Sequence, residues 1–193
     1  MYTANKNIYN HNIIYGDLFN CITQRVNDKN IGSSIVVPHV CNNIDLFGAG
    51  FAAKIAEKFP IVKENYHMLG KTFLKNNLGY SQFIKVYEDQ KYNHQLFVVN
   101  MIAQNGIKNP TNHRPLNYAA LVKCMINVSQ FIISNYSIGT KTEKIEIHAP
   151  KFGCGLAGGN WNFVQDLISD IWGKYSVFIY DFKSINYDTN IKK

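Results

Sequence analysis

Cysteine is scarce in this sequence, and no two cysteines have the spacing of a metal site. The four are Cys21, Cys41, Cys124 and Cys154, with no CxxC pair among them, so reduced thiols are the simplest interpretation and no metal or other cofactor is expected. Long hydrophobic runs are also missing, since SIVVPHV and LFVVNMIA fall far below the ~20 residues that cross a bilayer. The chain opens on the polar stretch MYTANKNIYNHN, which is not a secretory signal. We therefore expect a cytoplasmic protein that does not enter a membrane.

Acidic residues are fewer than basic ones, 13 against 20, which gives a net charge of +7. This balance favours anionic partners such as phosphates, a dinucleotide or nucleic acid. The lysines are scattered rather than clustered, so the charge supports an anionic ligand without requiring a polymer. A chain of 193 residues with 46% hydrophobic content can bury a full core. Without a repeat or linker, we expect one domain over residues 1–193, with a core of about 12–182, acting as a monomer.

Apolar segments of strand length alternate with segments of helical periodicity. The predicted strands are NIIYGD (12–17), SSIVVPHV (33–40), SQFIKVYED (81–89), QLFVVNMIA (95–103), KIEIHAP (144–150) and YSVFIYDF (175–182). The predicted helices are LFNCITQRV (18–26), a segment from 48 that Pro60 interrupts, IVKENYHML (61–69), 116–134 and WNFVQDLISDIW (161–172). This alternation predicts an α/β sandwich containing a largely parallel sheet, in which ligands bind at the carboxyl ends of the strands.

One glycine-rich loop lies at such a strand end, between strand 33–40 and the Ala-rich helix that follows. This first glycine loop contains Gly48 and Gly50, placed where the unpaired N–H groups of a helix N-terminus favour an anion. A tight strand-to-helix turn would explain the same residues. The sequence matches neither GxGxxG nor GxxxxGK[ST], so it carries neither the dinucleotide fingerprint nor the P-loop.

A second glycine loop, FGCGLAGGNW (152–161), follows strand 144–150 and precedes a helix. It contains Gly153, Gly155, Gly158 and Gly159, more glycines than a turn requires, which predicts close approach by a ligand rather than a bulky loop capped by Trp161. Successive backbone N–H groups in such a loop form a nest for an anion. Two nests at adjacent strand ends suit a diphosphate better than a monophosphate.

Four segments in this order resemble the successive signatures of a macrodomain, a module that binds ADP-ribose. They are NIIYGDLFN, HVCNNIDLFGAGFAAKI, PKFGCGLAGGNW and VFIYDF, which together bracket residues 12–182. The GCGL loop followed by Trp, with the Asn-rich first loop, resembles the branch containing terminal ADP-ribose glycohydrolases, DarG-type antitoxins and ADP-ribose-1″-phosphate phosphatases. The resemblance implies a three-layer α/β/α sandwich with a mixed, largely parallel central sheet, and ADP-ribose or an ADP-ribosylated substrate as partner.

The resemblance also assigns roles to individual residues. Asp17, with Leu18 beside it, would accept a hydrogen bond from the adenine amino group, although a carboxylate at this position also fits a helix N-cap. Asn42 and Asn43 would lie near the distal ribose. The remaining implied contacts are Gly48, Ala49 and Gly50 at the distal ribose and phosphate, Gly153, Cys154, Gly155, Leu156 and Ala157 around the diphosphate, and Tyr180 or Phe182 at the adenine. An aromatic residue at a strand end is equally well a core residue.

Catalytic residues are harder to assign. The glycohydrolases of this branch use a lysine after the strand that matches LFVVNMIA, where this chain offers Gln104 and Asn105. Some of them add an aspartate in the second glycine loop, where this chain has Ala157, and none of these three residues serves as a nucleophile or general base. The polar candidates that remain are His39, Asp45, Gln104 and His113, with Lys108 four residues beyond Gln104 and Cys154 as a thiol within the nest.

Three functions are consistent with this pattern. The first is an enzyme that removes ADP-ribose from a substrate or dephosphorylates ADP-ribose-1″-phosphate. The second is a binding module that reads or sequesters ADP-ribose, which the missing lysine and aspartate favour. The third is antitoxin-like reversal of nucleic-acid ADP-ribosylation, which the basic charge favours.

Overall fold

The computed structural model describes residues 11–27, 33–136 and 144–181. In these ranges the strands are β1 (Asn12–Tyr15), β2 (Ser33–Asn42), β3 (Ser81–Asp89), β4 (His94–Gln104), β5 (Lys144–Pro150) and β6 (Ser176–Asp181). The helices are α1 (Leu18–Asn27), α2 (Phe51–Lys58), α3 (Pro60–Met68), α4 (Gly70–Asn76), α5 (Tyr118–Asn135) and α6 (Trp161–Trp172).

The strands form one sheet in the order β1-β6-β5-β2-β4-β3. All neighbouring strands are parallel except β3, which pairs antiparallel with β4 at one edge. The predicted mixed, largely parallel sheet is therefore confirmed. Helices lie in the connections between the parallel strands, because a parallel pair cannot be joined by a short hairpin.

Helices cover both faces of the sheet. Buried residues of α5 and α6 pack on one face together with Val36 of β2. Those of α1 to α4 pack on the other face with Ile35 and Val37. Because successive side chains of a strand point to opposite faces, the continuous apolar run in β2 contributes to both halves of the core. The three-layer α/β/α sandwich is confirmed.

The differences from the predicted elements are local. Pro60 does not merely interrupt a helix but is the first residue of α3, where a missing N–H group costs nothing. Helix α4 was not predicted, and β1 ends at Tyr15, two residues before the predicted boundary. Within the described ranges, no helix is long and apolar enough to cross a bilayer.

The sheet order decides where the two glycine loops meet. Strands β2 and β5 are neighbours in the centre of the sheet and run parallel. Their carboxyl ends therefore lie side by side, and the glycine loop that follows each strand lies at the same edge. The prediction that these loops occupy adjacent strand ends is confirmed.

Candidate binding cavity between the glycine loops

A cavity of about 650 Å³ opens at the carboxyl ends of β2 and β5, between the two glycine loops. This volume is within the usual range for small-molecule sites. Its lining comprises His39, Val40, Cys41, Asn42, Leu46, Phe47, Gly48, Ala49, Gly50, Phe51, Ala52, Gln104, Ile107, Lys108, Pro150, Lys151, Phe152, Gly153, Gly155, Leu156 and Ala157. A second, smaller space of about 40 Å³, called the extension below, adjoins it and shares Phe51 and Pro150 with it.

The glycines of the second loop have two different roles. Gly153 and Gly158 have positive φ angles of 77° and 69°, which side chains rarely adopt. A Cβ atom on Gly159 would collide with Leu116 and with the carbonyl oxygen of Gly153. Only Gly155 lacks both constraints, because φ is not positive there and no atom lies within 4 Å of an added Cβ. The fold itself therefore requires three of the four glycines, so their number alone is weaker support for a ligand than the sequence indicated.

Backbone hydrogen bonds fold this loop so that its tip stays open. Gly158 N–H donates to the Gly155 carbonyl at 3.0 Å, and Gly159 N–H donates to the Gly153 carbonyl at 2.8 Å. Within the described ranges, no acceptor of the chain pairs with the N–H groups of Cys154, Gly155 or Leu156. The nest predicted from the glycine count is thus shorter, with its donors concentrated around Gly155.

The first glycine loop brings the N-terminus of α2 to the opposite wall. Gly50 has φ of 59° and no side chain caps the helix, so the first N–H groups of α2 have no capping partner there. A Cβ on Gly50 would lie 3.5 Å from Leu156 Cδ1. The two loops therefore approach each other across the cavity, and the helix dipole of α2 points into it.

The amide of Asn42 is used to shape the first glycine loop. Its Oδ1 accepts hydrogen bonds from the N–H groups of Ile44 (3.0 Å) and Leu46 (3.2 Å) and from the Tyr66 hydroxyl (3.0 Å). Its Nδ2 donates to the Leu46 carbonyl. Asn42 lines the cavity, but its polar atoms already have partners within the loop.

Asn43 lies outside the cavity lining and joins two loops. Its Oδ1 accepts from Gly106 N–H at 2.8 Å, and its Nδ2 donates to Asn105 Oδ1 at 3.2 Å. Asn43 N–H also donates to the Gln104 carbonyl at 3.0 Å. This buried side chain therefore fixes the loop after β4, which carries Ile107 and Lys108 into the cavity wall.

The extension lies beside Asp17, Leu18 and Tyr180, three of the residues that the sequence assigned to adenine. Asp17 Oδ1 accepts from the N–H groups of Phe19 (2.7 Å) and Asn20 (3.2 Å), so Asp17 does cap α1. Leu18 and Tyr180 are buried. Phe182, the alternative aromatic residue, lies outside the described residues.

A chain of polar groups holds Tyr180 from behind. The Tyr180 hydroxyl lies 2.8 Å from His148 Nδ1, and His148 Nε2 lies 3.0 Å from Glu146 Oε2. Arg25 Nε on α1 is 3.6 Å from the same carboxylate oxygen. These contacts fix the Tyr180 ring as a rigid wall, and burial raises the pKa of its hydroxyl.

No family model matches the sequence. A macrodomain protein from Streptomyces coelicolor has 27% identity and a TM-score of 0.58, with 78% of this chain and 89% of that chain covered. The chain folds as a macrodomain. A Bacteroides thetaiotaomicron protein of unknown function has 31% identity and a TM-score of 0.68, over 88% of this chain and 96% of that one.

Two further similarities are more distant. The DarTG protein of Thermosipho africanus, solved in complex with ADP-ribose, has 19% identity and a TM-score of 0.59 over 92% of this chain and 44% of that one. An uncharacterised 17.5 kDa protein from the tk-vs intergenic region of phage T4 is 25% identical over 77% of this chain and 87% of its own length. The first supports the macrodomain fold alone, and the second carries no functional description.

Cations but no carboxylates line the main cavity of this macrodomain. Lys108 and Lys151 are its two lysines, and its described lining contains no aspartate or glutamate. Lys151 Nζ lies 3.1 Å from Asp181 Oδ2 and 5.1 Å from the centre of the Trp161 ring. Lys108 has no ion-pair partner among the described residues. The cavity therefore favours an anionic ligand.

His39 lies in the cavity wall but is held neutral. Burial lowers its pKa to about 4, and its Nε2 lies 2.7 Å from Asn100 Oδ1. Asn100 Nδ2 donates to Gln82 Oε1 at 3.0 Å, which leaves Oδ1 as the acceptor and Nε2 of His39 as the donor. The sulfur of Cys41 is 3.8 Å from His39 Nδ1, and burial raises the pKa of this thiol. Neither group is an activated nucleophile or a base near neutral pH.

The other catalytic candidates differ in their placement. Gln104 lines the cavity, whereas His113 is exposed and absent from its lining. Asp45 also lies outside the lining, with Oδ1 2.6 Å from His67 Nδ1. Cys154 donates to the Phe152 carbonyl at 3.3 Å, and burial raises its pKa to about 11, which favours a packing role over a reactive thiol.

Several cavity residues were not predicted. Lys108 was noted only by its distance from Gln104 in the sequence, and Phe51, Ile107 and Lys151 were not considered. Lys151 directly follows a buried strand. Because ligands bind at the carboxyl ends of such strands, its place at the cavity could have been predicted from the sequence. The positions of Phe51 and Ile107 depend on how the loops turn, which the sequence does not reveal.

Proposed function

We propose that this macrodomain binds ADP-ribose in the cavity between the glycine loops. The observation that carries the proposal is the convergence of open backbone donors on one space. The N–H groups around Gly155 lie on one side of it and the uncapped N-terminus of α2 on the other. Backbone donors with a helix dipole recognise phosphate oxygens, and two such sets suit a diphosphate.

The surrounding residues support the same ligand. Two lysines and, among the described residues, no carboxylate line the main cavity, which favours a doubly charged diphosphate there. The Gln104 side chain is available at the end away from the extension as a donor and acceptor for ribose hydroxyls. The extension beside Asp17 and Tyr180 lies on the opposite side of Phe51 and Pro150, where the adenine would be directed.

Calorimetry with three ligands tests binding. ADP-ribose contains all recognised groups, AMP lacks the distal ribose and one phosphate, and ribose-5-phosphate lacks the adenosine and one phosphate. We expect ADP-ribose to bind most tightly and each fragment more weakly. If millimolar ADP-ribose gives no measurable heat of binding and displaces neither fragment, the proposal is refuted.

We further propose that the protein hydrolyses an ADP-ribose derivative, with Lys108 at the reacting end. Lys108 is the cavity lysine without a carboxylate partner in the described part of the chain. At this position a neutral lysine amine would act as a nucleophile. A lysine ammonium would instead stabilise negative charge on a leaving group. No described carboxylate lines the main cavity, so a water must be oriented by Gln104, Lys108 or the phosphate of the ligand.

The substrates that separate the possible reactions are ADP-ribose-1″-phosphate, ADP-ribosylated protein and ADP-ribosylated DNA. Release of phosphate, of free ADP-ribose from protein, or of free ADP-ribose from DNA would identify the activity. Lys108→Ala should lower the rate at least about tenfold, while Lys63→Ala on the exposed surface of α3 is the control with the same charge change. Equal rates for both variants would remove Lys108 from the reaction.

A non-catalytic reader is the second candidate. The replacement of the branch's lysine and aspartate by Gln104 and Ala157 favours it, since neither side chain transfers a proton or attacks a substrate. Tight ADP-ribose binding without turnover of any of the three substrates would establish this function.

A further inference from the structure

Phe51 forms the partition between the cavity and the extension. It lines both spaces, as does Pro150. The extension has a volume of only about 40 Å³, which holds no more than a few water molecules and is too small for a purine base. A base could enter only if this partition moved.

Pro150 cannot provide that movement. It is the last residue of β5 and pairs in register with Tyr180 of β6. The next residue, Lys151, donates its backbone N–H to the Tyr180 carbonyl at 2.9 Å. The strand side of the partition is therefore held by the central sheet.

Phe51 is held differently, by contacts between rings. Its ring stacks on Phe19 of α1 with a centroid distance of 5.6 Å and an interplanar angle of 6°. His39 meets it edge-on at 5.9 Å. Such contacts are weak individually and can be exchanged for contacts with another flat ring.

Before Phe51, the hydrogen bonds that Asn42 makes within its own loop reach only as far as Leu46. Phe51 is the first residue of α2, Gly50 before it has φ of 59°, and no side chain caps the helix. No atom lies within 4 Å of a Cβ built on Gly48. The Phe51 ring also packs against the core on this face of the sheet, but its contacts with Phe19 and His39 are the ones that an incoming flat ring could replace.

We propose that Phe51 is a specificity-determining residue that closes the extension to the purine base of a nucleotide until its ring leaves Phe19. The proposal rests on the proposed ADP-ribose site, which supplies the base. Once the ring moves, the extension joins the main cavity, with Asp17 and Tyr180 exposed to the base. Ligands that carry a base must displace the ring, whereas a ribose phosphate in the main cavity need not.

This closing of the extension by Phe51, called the gate below, predicts a change in ligand selectivity when Phe51 is replaced. Phe51→Ala removes the partition, so AMP and ADP-ribose should bind about 3-fold to 10-fold tighter, the equivalent of one aromatic contact. Ribose-5-phosphate, which carries no base, should gain less affinity than AMP does. Phe19→Leu removes the stacking partner of Phe51 and an aromatic wall of the extension but keeps the partition, so it should change the same two affinities by a smaller factor.

The experiment is calorimetry of the full chain with all three ligands. The proteins are the wild type, Phe51→Ala, Phe51→Leu, Phe19→Leu and the control Phe73→Ala. Phe73 pairs with Tyr80 at 5.0 Å and does not line either space, so its loss tests for a general effect of deleting an aromatic pair. Circular dichroism and melting curves confirm folding, and Phe51→Leu replaces the alanine variant if the latter unfolds.

The outcomes separate this proposal from the binding proposal. If the ratio of AMP affinity to ribose-5-phosphate affinity is larger in Phe51→Ala than in the wild type, the gate is supported. The same holds if the wild type binds no AMP and Phe51→Ala does. An unchanged or smaller ratio, with ADP-ribose still bound by the wild type, overturns the gate alone and makes Phe51 a platform for the base. If no protein binds any of the three ligands, both proposals fall.

Discussion

At the scale of single residues, the second glycine loop shows how one residue type serves both folding and recognition. Gly153 and Gly158 are fixed by their positive φ angles, and Gly159 by its contacts with Leu116 and Gly153. Gly155 alone has free space in front of it. A glycine count in the sequence cannot make this distinction, because it depends on which backbone atoms approach from elsewhere in the fold.

Gly155→Glu should abolish ADP-ribose binding without unfolding the protein. Its carboxylate would lie among the N–H groups proposed to hold the diphosphate, and like-charge repulsion should weaken binding by roughly 100-fold or more. Calorimetry on the variant, after circular dichroism confirms a native fold, measures the effect. Normal ADP-ribose affinity in a folded Gly155→Glu protein would show that the phosphates lie elsewhere.

Two alanine variants serve as controls for this change. Gly155→Ala adds a methyl group in open space at an ordinary backbone angle, so stability and affinity should change little. Gly159→Ala places a Cβ 2.6 Å from the Gly153 carbonyl oxygen and should lower the free energy of unfolding by about 2 kcal/mol through overpacking.

His39 should make stability depend on pH. Burial lowers its pKa to about 4, so between about pH 6.5 and 4 the unfolded chain binds a proton that the folded protein does not. The free energy of unfolding should therefore fall as the pH falls, by about 2 kcal/mol from pH 7.5 to pH 5. Burial lowers the pKa of His11 as well, which acts in the same direction.

Urea denaturation of the wild type and His39→Gln at the two pH values measures this contribution. The glutamine does not titrate, so the variant should lose less stability on acidification than the wild type does. Equal losses would mean that His39 is protonated in the folded protein and that its hydrogen bond to Asn100 is charged.

At the scale of helices and strands, most of the fold could be predicted because periodicity reflects burial. The apolar run of β2 is buried on both faces, and α5 shows helical spacing along its whole length. Helix α4 was missed because its seven residues begin at Gly70, which has φ of 75° and resembles a turn in the sequence. Lys108 was a candidate from the sequence, but its place in the cavity wall could not be predicted, since no local pattern shows that the loop after β4 returns to the cavity.

The residue types of the site were more predictable than their contacts. Asp17, Asn42 and Gly50, which the resemblance assigned to the ligand, all lie at the cavity or its extension. The side chain of Asn42, however, is bonded within its own loop, and one oxygen of Asp17 caps α1. Short polar side chains bond to nearby backbone groups whenever a loop offers them, so the sequence alone cannot reserve them for a ligand.

Asn43 connects two loops, and its loss should affect both. Asn43→Ala leaves Gly106 N–H and Asn105 Oδ1 without their present partner, so the free energy of unfolding should fall by about 2 kcal/mol. ADP-ribose affinity should fall as well, because the loop with Ile107 and Lys108 loses its attachment. Denaturation and calorimetry check the two effects, with Asn65→Ala as control.

The control removes an asparagine whose bond is local. Asn65 Nδ2 donates to the Ile61 carbonyl one turn earlier in α3, at 2.8 Å on an exposed surface. Its replacement by the better helix former alanine should leave stability almost unchanged. If Asn43→Ala were equally mild, the loop after β4 would be fixed by contacts other than those of Asn43.

At the scale of the whole molecule, charge and topology converge on one edge of the sheet. The net charge of +7 is spread over the sequence, yet the described lining of the main cavity at this edge contains two lysines and no carboxylate. General basicity thus favours anions of any size, whereas the shape of the cavity selects a small one. The sequence could predict the first property but not the second, which requires β2 and β5 to be neighbours.

ADP-ribose should therefore stabilise the entire fold, because its proposed site joins loops from both central strands. A ligand at a hundredfold excess over its dissociation constant adds about 2.7 kcal/mol to the free energy of unfolding. For a chain of this length that corresponds to a rise in Tm of roughly 5–10 °C. Thermal melts with ADP-ribose, AMP and ribose-5-phosphate at equal concentration measure it, and ADP-ribose should give the largest shift. An equal shift with inorganic diphosphate would assign the effect to the anion alone, and no shift with millimolar ADP-ribose would contradict the proposed site.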